Sequence, residues 1–479
     1  MTRKNMSEPK KVGRRTFLNY AIAVVATGVI VGAATYFAVP KGVTTVTAPG
    51  TTVTTTKTVT TTVTGTPTTT PPTTSPTTSA PKKGSLTLIF HWSEPDLLKY
   101  VDQWISLYTK LNPDVKIDYI ATGFADLLPK IMSLRAAGTL PDVIFYYCLW
   151  VPDFVEQGIL AEAPSEVVDD VKKNYYSSAV AAVSYKDALY GYPTEFDPYG
   201  LVYNKEIFDK SGIAVPKTWS ELQDAAKKLT IWKDNALEQS GYGFPMQYAS
   251  GIYHAFVSNF LSNGGEQLVD LAAKRALFNG SEGVEALQLW YDLIYKDKVW
   301  SKELPAEDGI PLGKMAMTVH AAWWKFTLVG QMGEDKFKNT IRVALPPYSK
   351  RPVTIAYHWG VGVTKTSKNP ELAWDFVKFI NTPLEHTGVS YIGSFFKDFG
   401  IIPSRKSDVL KQAYYESEPW NKGMKDLLEY AKVEPEFVGA NAVKDAIYEQ
   451  LEAVLTTGKS PKQALDDAAK NVEEILRKT

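Results

Sequence analysis

Between Leu86 and Tyr146 the chain alternates short apolar runs with helical periods, an order that few folds accept. Leu86-Thr87-Leu88-Ile89-Phe90 is apolar and partly β-branched and predicts a strand. From Glu94 to Leu111 the apolar residues Leu97, Val101, Trp104, Ile105 and Tyr108 recur at helical spacing, and Asn112-Pro113 stops the helix. Val115 to Ile120 alternates as a second strand, and Asp126 to Ala137 predicts a second helix closed by Gly138. Pro141 to Tyr146 is a third strand. Strand, helix, strand, helix, strand at this spacing demands a parallel sheet with crossover helices, hence an α/β fold. Ligands of open sheets sit beyond the carboxyl ends of the strands. Here those ends lead into His91-Trp92, Thr122-Gly123-Phe124 and Tyr147-Cys148-Leu149-Trp150.

The first 83 residues have a different character. Arg3, Lys4, Lys10, Lys11, Arg14 and Arg15 outnumber the single acid Glu8 ahead of an uncharged run, Thr16 to Pro40. That run is long enough to cross a bilayer core of about 30 Å, and the basic flank marks its cytoplasmic end. Gly13-Arg14-Arg15-Thr16-Phe17-Leu18 also resembles a twin-arginine export motif, but the outer end of the run, Thr35 to Pro40, offers no Ala-x-Ala site and the only cysteine is Cys148. Residues 1–40 are therefore read as a cytoplasmic flank and a retained membrane anchor. Residues 41–83 are Thr, Ser and Pro-rich, a composition unable to bury a core and suited to O-glycosylation, and predict a disordered stalk. The remainder is expected outside the cell, at the end of this tether.

The whole chain is formally neutral, and the basic flank together with Lys41 and Lys57 leaves residues 82–479 net acidic. An acidic globular part argues against nucleic acid and anionic lipid as partners. One cysteine excludes an intramolecular disulfide. Roughly 395 residues after the stalk exceed one comfortable core, so two domains are expected.

Further along, a series of short segments follows in fixed order. Pro141-Asp142-Val143-Ile144 leads to Glu156-Gln157-Gly158-Ile159-Leu160-Ala161, and Leu189-Tyr190-Gly191-Tyr192-Pro193 leads to Tyr203-Asn204-Lys205-Glu206-Ile207-Phe208. Pro216-Lys217-Thr218-Trp219 feeds a helix with Thr218 or Ser220 as its N-cap. Gly313-Lys314-Met315-Ala316-Met317 and Gly360-Val361-Gly362-Val363 follow, the latter before Asn369-Pro370-Glu371-Leu372-Ala373. Together, over residues 84–479, these segments resemble the extracellular solute-binding proteins of ABC importers, in the large family that includes maltodextrin binders.

The resemblance implies a two-lobed, periplasmic-binding-protein-like fold of type II with three hinge crossings, near Asp197–Gly200, Tyr357–Gly360 and Ile401–Arg405. Lobe one would hold residues 84–198 plus 358–404, and lobe two residues 199–357 plus 405–479. It also implies a monomer that binds a sugar or oligosaccharide, needs no cofactor or metal, and delivers to an ABC permease. A sugar site needs carboxylates or amides for hydroxyls and aromatic rings for C–H faces. The family's cleft positions fall on Trp92, Glu94, Phe124, Tyr147, Trp150, Asp197, Tyr199, Tyr248, Tyr253, Trp323, His358 and Trp359. Trp324 competes with Trp323 for one place. Where maltodextrin binders carry charged groups after the third strand, this chain has Cys148, Leu149 and Trp150. A peptide, a polyol or phosphate ester, or ferric ion stays open as the solute.

Catalytic signatures are missing from the sequence. Gly458-Lys459-Ser460 lacks the first glycine of a phosphate loop, since Ala453 occupies that place. The five histidines are scattered, with no His-Glu-x-x-His, and no Gly-x-Ser-x-Gly occurs. Glu94, Glu195 and Asp197 are carboxylates that a surface glycosidase could use, but they stand in no recognisable acid/base motif.

Overall fold

The computed structural model describes residues 55–59 and 82–479. Its main sheet has ten strands. In chain order these and the principal helices are β1 (Thr55–Val59), β2 (Lys83–Phe90), α1 (Pro95–Leu111), β3 (Asp114–Ala121), α2 (Phe124–Ala136), β4 (Val143–Tyr147) and β5 (Tyr192–Asn204). Then come α3 (Trp219–Leu229), α4 (Ala249–Ser262), β6 (Met317–Ala321), α5 (Trp324–Met332), β7 (Ile341–Ala344) and β8 (Thr354–Val363). The chain closes with α6 (Pro370–Asn381), β9 (Ile402–Pro403), β10 (Ala431–Val433), α7 (Ala440–Thr457) and α8 (Pro461–Lys478).

The strand order is β1-β3-β2-β4-β8-β5-β6, with β7 and β9 also on β5 and β10 on β8. Strands β2, β3 and β4 are mutually parallel, as the alternation of runs and periods predicts. The buried face of α1 consists of Leu97, Val101, Trp104, Ile105 and Tyr108, the five residues picked out by helical spacing. Thr218 caps α3 in a full capping box: its side chain accepts from the Glu221 N–H, and Glu221 accepts from the Thr218 N–H.

Two long strands link the β4 side of the sheet to the β6 side. Along β5, Tyr192 to Pro198 pair with β8, and Tyr199 to Asn204 pair with β6 and β7. Along β8, Thr354 to Ala356 run parallel to β10, and Trp359 to Val363 run antiparallel to β4. The β5–β8 register shifts between Trp359 and Gly360. A side chain at Gly360 would collide with the Tyr146 ring, since its Cβ would lie 2.7 Å from that ring.

The expectation of a wholly disordered stalk is corrected at one place. Thr55 to Val59 form a strand paired antiparallel with β3, from Thr55 opposite Ala121 to Val59 opposite Ile117. The β-branched Thr and Val residues of Thr-Thr-Lys-Thr-Val favour extended backbone, and a single strand can extend an existing sheet edge without a core of its own. The rest of the stalk and the Thr16–Pro40 run lie outside the described residues. Among the described residues no helix is long and apolar enough to cross a membrane.

Candidate functional site

Beyond the carboxyl ends of β2, β3 and β4 lies a cavity of about 210 Å³. His91, Trp92 and Glu94 reach it from the turn after β2, Gly123 and Phe124 from the turn after β3, and Tyr147 from the last residue of β4. The opposite wall comes from Gln247, Tyr248, Ser250 and His254 around the start of α4, and from Trp323, Phe326 and Thr327 around α5. Phe399 and Ile401, ahead of β9, close one side.

The floor is made by β5 and β8. Side chains alternate faces along a strand, so Glu195 and Asp197 point the same way. Their cross-strand partners are Trp359 opposite Glu195 and Tyr357 opposite Asp197, and all four line the cavity. The intervening residues Phe196 and His358 are likewise paired and face away, their rings stacked 4.3 Å apart. His358 Nδ1 contacts the Glu195 carbonyl at 2.9 Å. Period-two geometry thus separates His358 from Trp359, which the family resemblance placed together in the cleft.

Three other expected site residues also stand outside the lining. The Trp150 indole N–H donates to Asn441 Oδ1 at 3.1 Å, and its ring packs edge-on behind Tyr147 and Trp359. Tyr199 lies behind His254, with its hydroxyl 3.0 Å from His254 Nδ1. Tyr253 is buried in α4, one residue round the helix from the face shared by Ser250 and His254. Trp92, Glu94, Phe124, Tyr147, Asp197, Tyr248, Trp323 and Trp359 do line the cavity. Trp323 is half-buried and meets Tyr248 edge-on, whereas Trp324 is fully buried and stacked on His320.

Two carboxyls dominate the polar surface. Asp197 is fully buried, and neither of its oxygens closes a hydrogen bond. The Glu195 carboxyl, the Tyr357 hydroxyl and the Trp323 backbone N–H stand close by and favour its charged form, but burial outweighs them and raises its pKa. Glu195 Oε1 is also unpartnered, and burial together with the Asp197 charge pushes Glu195 well above the usual glutamate range. His91 stacks on Trp359 with ring centres 3.8 Å apart, and burial lowers its pKa to about 3, so it is neutral. At the back of the cavity the Tyr147 hydroxyl donates to Glu434 Oε2, and His254 Nε2 lies 3.0 Å from Glu434 Oε1. Burial works to raise Glu434, but His254, Lys444 and the Tyr147 hydroxyl outweigh it and hold Glu434 low.

Among the described residues no group of three or more His, Cys, Asp or Glu is arranged to hold a metal ion. Cys148 is buried, and burial raises its thiol well above the usual range, as befits a packing residue. Sequence reasoning missed Tyr357, His254 and Phe326 and set Glu195 aside. The signal for Tyr357 and Glu195 was available: each lies two residues from a residue already assigned to the cleft, Trp359 and Asp197.

The family model for bacterial extracellular solute-binding proteins matches residues 91–383. The chain is 26% identical over 404 residues to the maltotriose-binding protein of Pyrococcus abyssi, covering 82% of this chain and 80% of that one. It is 23% identical over 414 residues to the galactooligosaccharide-binding protein of Bacillus subtilis, covering 82% and 90% respectively. Among solved structures, it resembles a solute-binding protein of Thermotoga lettingae bound to α-D-tagatose, with a TM-score of 0.70 and 23% identity over 82% of this chain and all of the other. The GacH receptor of Streptomyces glaucescens, solved unliganded and with acarbose, gives a TM-score of 0.71 at 22% identity, over 83% and 99% of the two chains.

Proposed function

Because this chain belongs to the bacterial extracellular solute-binding protein family, we propose that it captures a sugar between two lobes and delivers it to an ABC permease. One observation carries the sugar reading: buried, unpartnered carboxyl oxygens of Asp197 and Glu195 face a cavity walled by Trp323, Trp359, Tyr248 and Phe124. A sugar supplies both complements, hydroxyl donors for the carboxyls and C–H faces for the rings. Relatives named for maltotriose and galactooligosaccharides support the same class of ligand. At about 210 Å³ the cavity falls below the roughly 300–1,000 Å³ usual for ligand clefts, which favours one or two sugar rings over a longer chain.

In this reading Asp197 and Glu195 accept from hydroxyls, Trp323 and Trp359 stack on ring faces, and Glu94 and Tyr147 serve the rim and the back. Trp150, Tyr199, Tyr253 and His358 hold those residues in place. The lobe boundaries, 84–198 plus 358–404 and 199–357 plus 405–479, fall where β5 and β8 exchange pairing partners, which supports hinges there. The protein acts as a monomer that binds without reacting. The run Thr16–Pro40 anchors it in the cytoplasmic membrane, with the globular part outside.

A thermal-shift screen of the purified protein against mono- and disaccharides, short peptides and phosphate esters tests the sugar reading. A ligand at 100 times its Kd should stabilise by about 2.7 kcal/mol. A peptide or phosphate ester that shifts the melting point while no sugar does would overturn it.

A further inference from the structure

The charge of the cavity is one-sided. Glu94, Glu195 and Asp197 line it, and none of its lining residues is lysine or arginine. Its histidines do not restore the balance: His91 is neutral, and His254 is turned to Glu434. Buried ammonium groups on adjoining elements are committed elsewhere. Lys325, one residue before the lining residue Phe326, donates to Asn421 at 2.8 Å and pairs with Glu418 at 3.4 Å. Lys444 donates to Asn441 at 3.1 Å and lies over the Tyr147 ring, 5.3 Å from its centre.

A neutral sugar would satisfy hydrogen bonds here and leave the charge of the pair unanswered. A buried carboxylate needs a cation as well as donors, or it must stay protonated. An ammonium supplies a positive charge and three N–H donors at one point. The surrounding rings of Trp323, Trp359 and Tyr357 reinforce it, because aromatic faces attract cations. Asp197 and Glu195, two residues apart on one face of β5, open on the same cavity.

We propose that the ligand is an amino sugar, its ammonium held by the paired carboxyls of Asp197 and Glu195 and its ring by the aromatic walls. The proposal rests on the sugar reading above and adds the charge. The wild-type full-length protein, in detergent, is titrated calorimetrically at pH 7 with glucosamine, glucose and N-acetylglucosamine, with the galactose counterparts of all three, and with maltotriose and ethanolamine. Acetylation removes the charge and keeps the ring, so the comparison isolates the ammonium. An amino sugar should bind roughly tenfold or more tighter than both its hydroxyl and its N-acetyl counterpart. That advantage should shrink to about threefold or less in Asp197→Asn and in Glu195→Gln, which keep shape and lose charge. Neutral sugars that bind as well as the amines overturn the charge assignment and leave the sugar reading standing. Ethanolamine binding without any sugar overturns the sugar reading and the amino-sugar proposal together, as does a panel with no binder.

Discussion

Replacing Asp197 with Asn should make the empty protein more stable at neutral pH, while weakening its hold on ligand. Asp197 is completely buried, its oxygens close no hydrogen bond, and Glu195 beside it is a second acid. Burial lifts its pKa from 3.8 to about 7. A carboxyl whose folded pKa lies above its unfolded value takes up protons on folding. Stability therefore falls as pH rises from the unfolded pKa to the folded one, and the full penalty applies above it. Each unit of elevation is worth about 1.4 kcal/mol, so the penalty is on the order of 2–4 kcal/mol at pH 7.5 and absent near pH 3.5. For a globular part of about 400 residues this corresponds to a rise in melting temperature of roughly 2–5 °C. Thermal unfolding of ligand-free wild type and Asp197→Asn across that pH range is the assay. The curves should converge in acid and separate on the alkaline side, with the variant higher. Parallel curves, or a variant less stable at pH 7.5, would show that Asp197 is satisfied in the empty protein and would refute the reasoning about the site.

Two further outcomes follow from the site geometry, and a third from the N-terminal sequence. Trp323→Ala should weaken ligand binding about tenfold or more by calorimetry, because a partly buried ring on the cavity wall contributes about 1–3 kcal/mol to binding. Trp219→Ala should do the reverse, losing about 2 kcal/mol in denaturant unfolding with affinity unchanged, because Trp219 packs on the core at the start of α3, away from the cavity lining. The full-length protein should stay with membranes through a high-salt wash, with its N-terminal peptide recoverable; a soluble mature chain beginning near Lys41 would remove the anchor.

Local periodicity carried most of the architecture. The five-residue face of α1 and the parallel β2–β3–β4 core were legible because a burial pattern of period 3.6 or 2 is written into contiguous residues. The sequence narrowed the cap of α3 to Thr218 or Ser220 by residue type, and the fold puts it at Thr218. The floor of the cavity was harder to read. Which faces of β5 and β8 meet depends on a register between residues about 160 apart in the chain, and a shift of one residue would exchange His358 for Tyr357. Likewise, the choice between Trp323 and Trp324 turns on the start of α5 and on the stacking of Trp324 against His320, which neither residue's own sequence neighbours reveal. Tyr253 and His254 are adjacent in sequence, and only the orientation of α4 decides which one faces the cavity.

The position of the floor has a mechanical consequence. Glu195, Asp197, Tyr357 and Trp359 sit on the two long paired strands β5 and β8, beside the points where those strands change neighbours. Atoms near an axle travel little when a door swings. Rotation about these strands would carry Trp323 and Tyr248 through long arcs and leave the acid pair and its two aromatic partners almost where they are. The open form would therefore present a finished landing platform, and an arriving solute would be oriented before the far wall closes on it. Discrimination by charge would then act at first contact, while the swing of the far wall would set how long the solute stays.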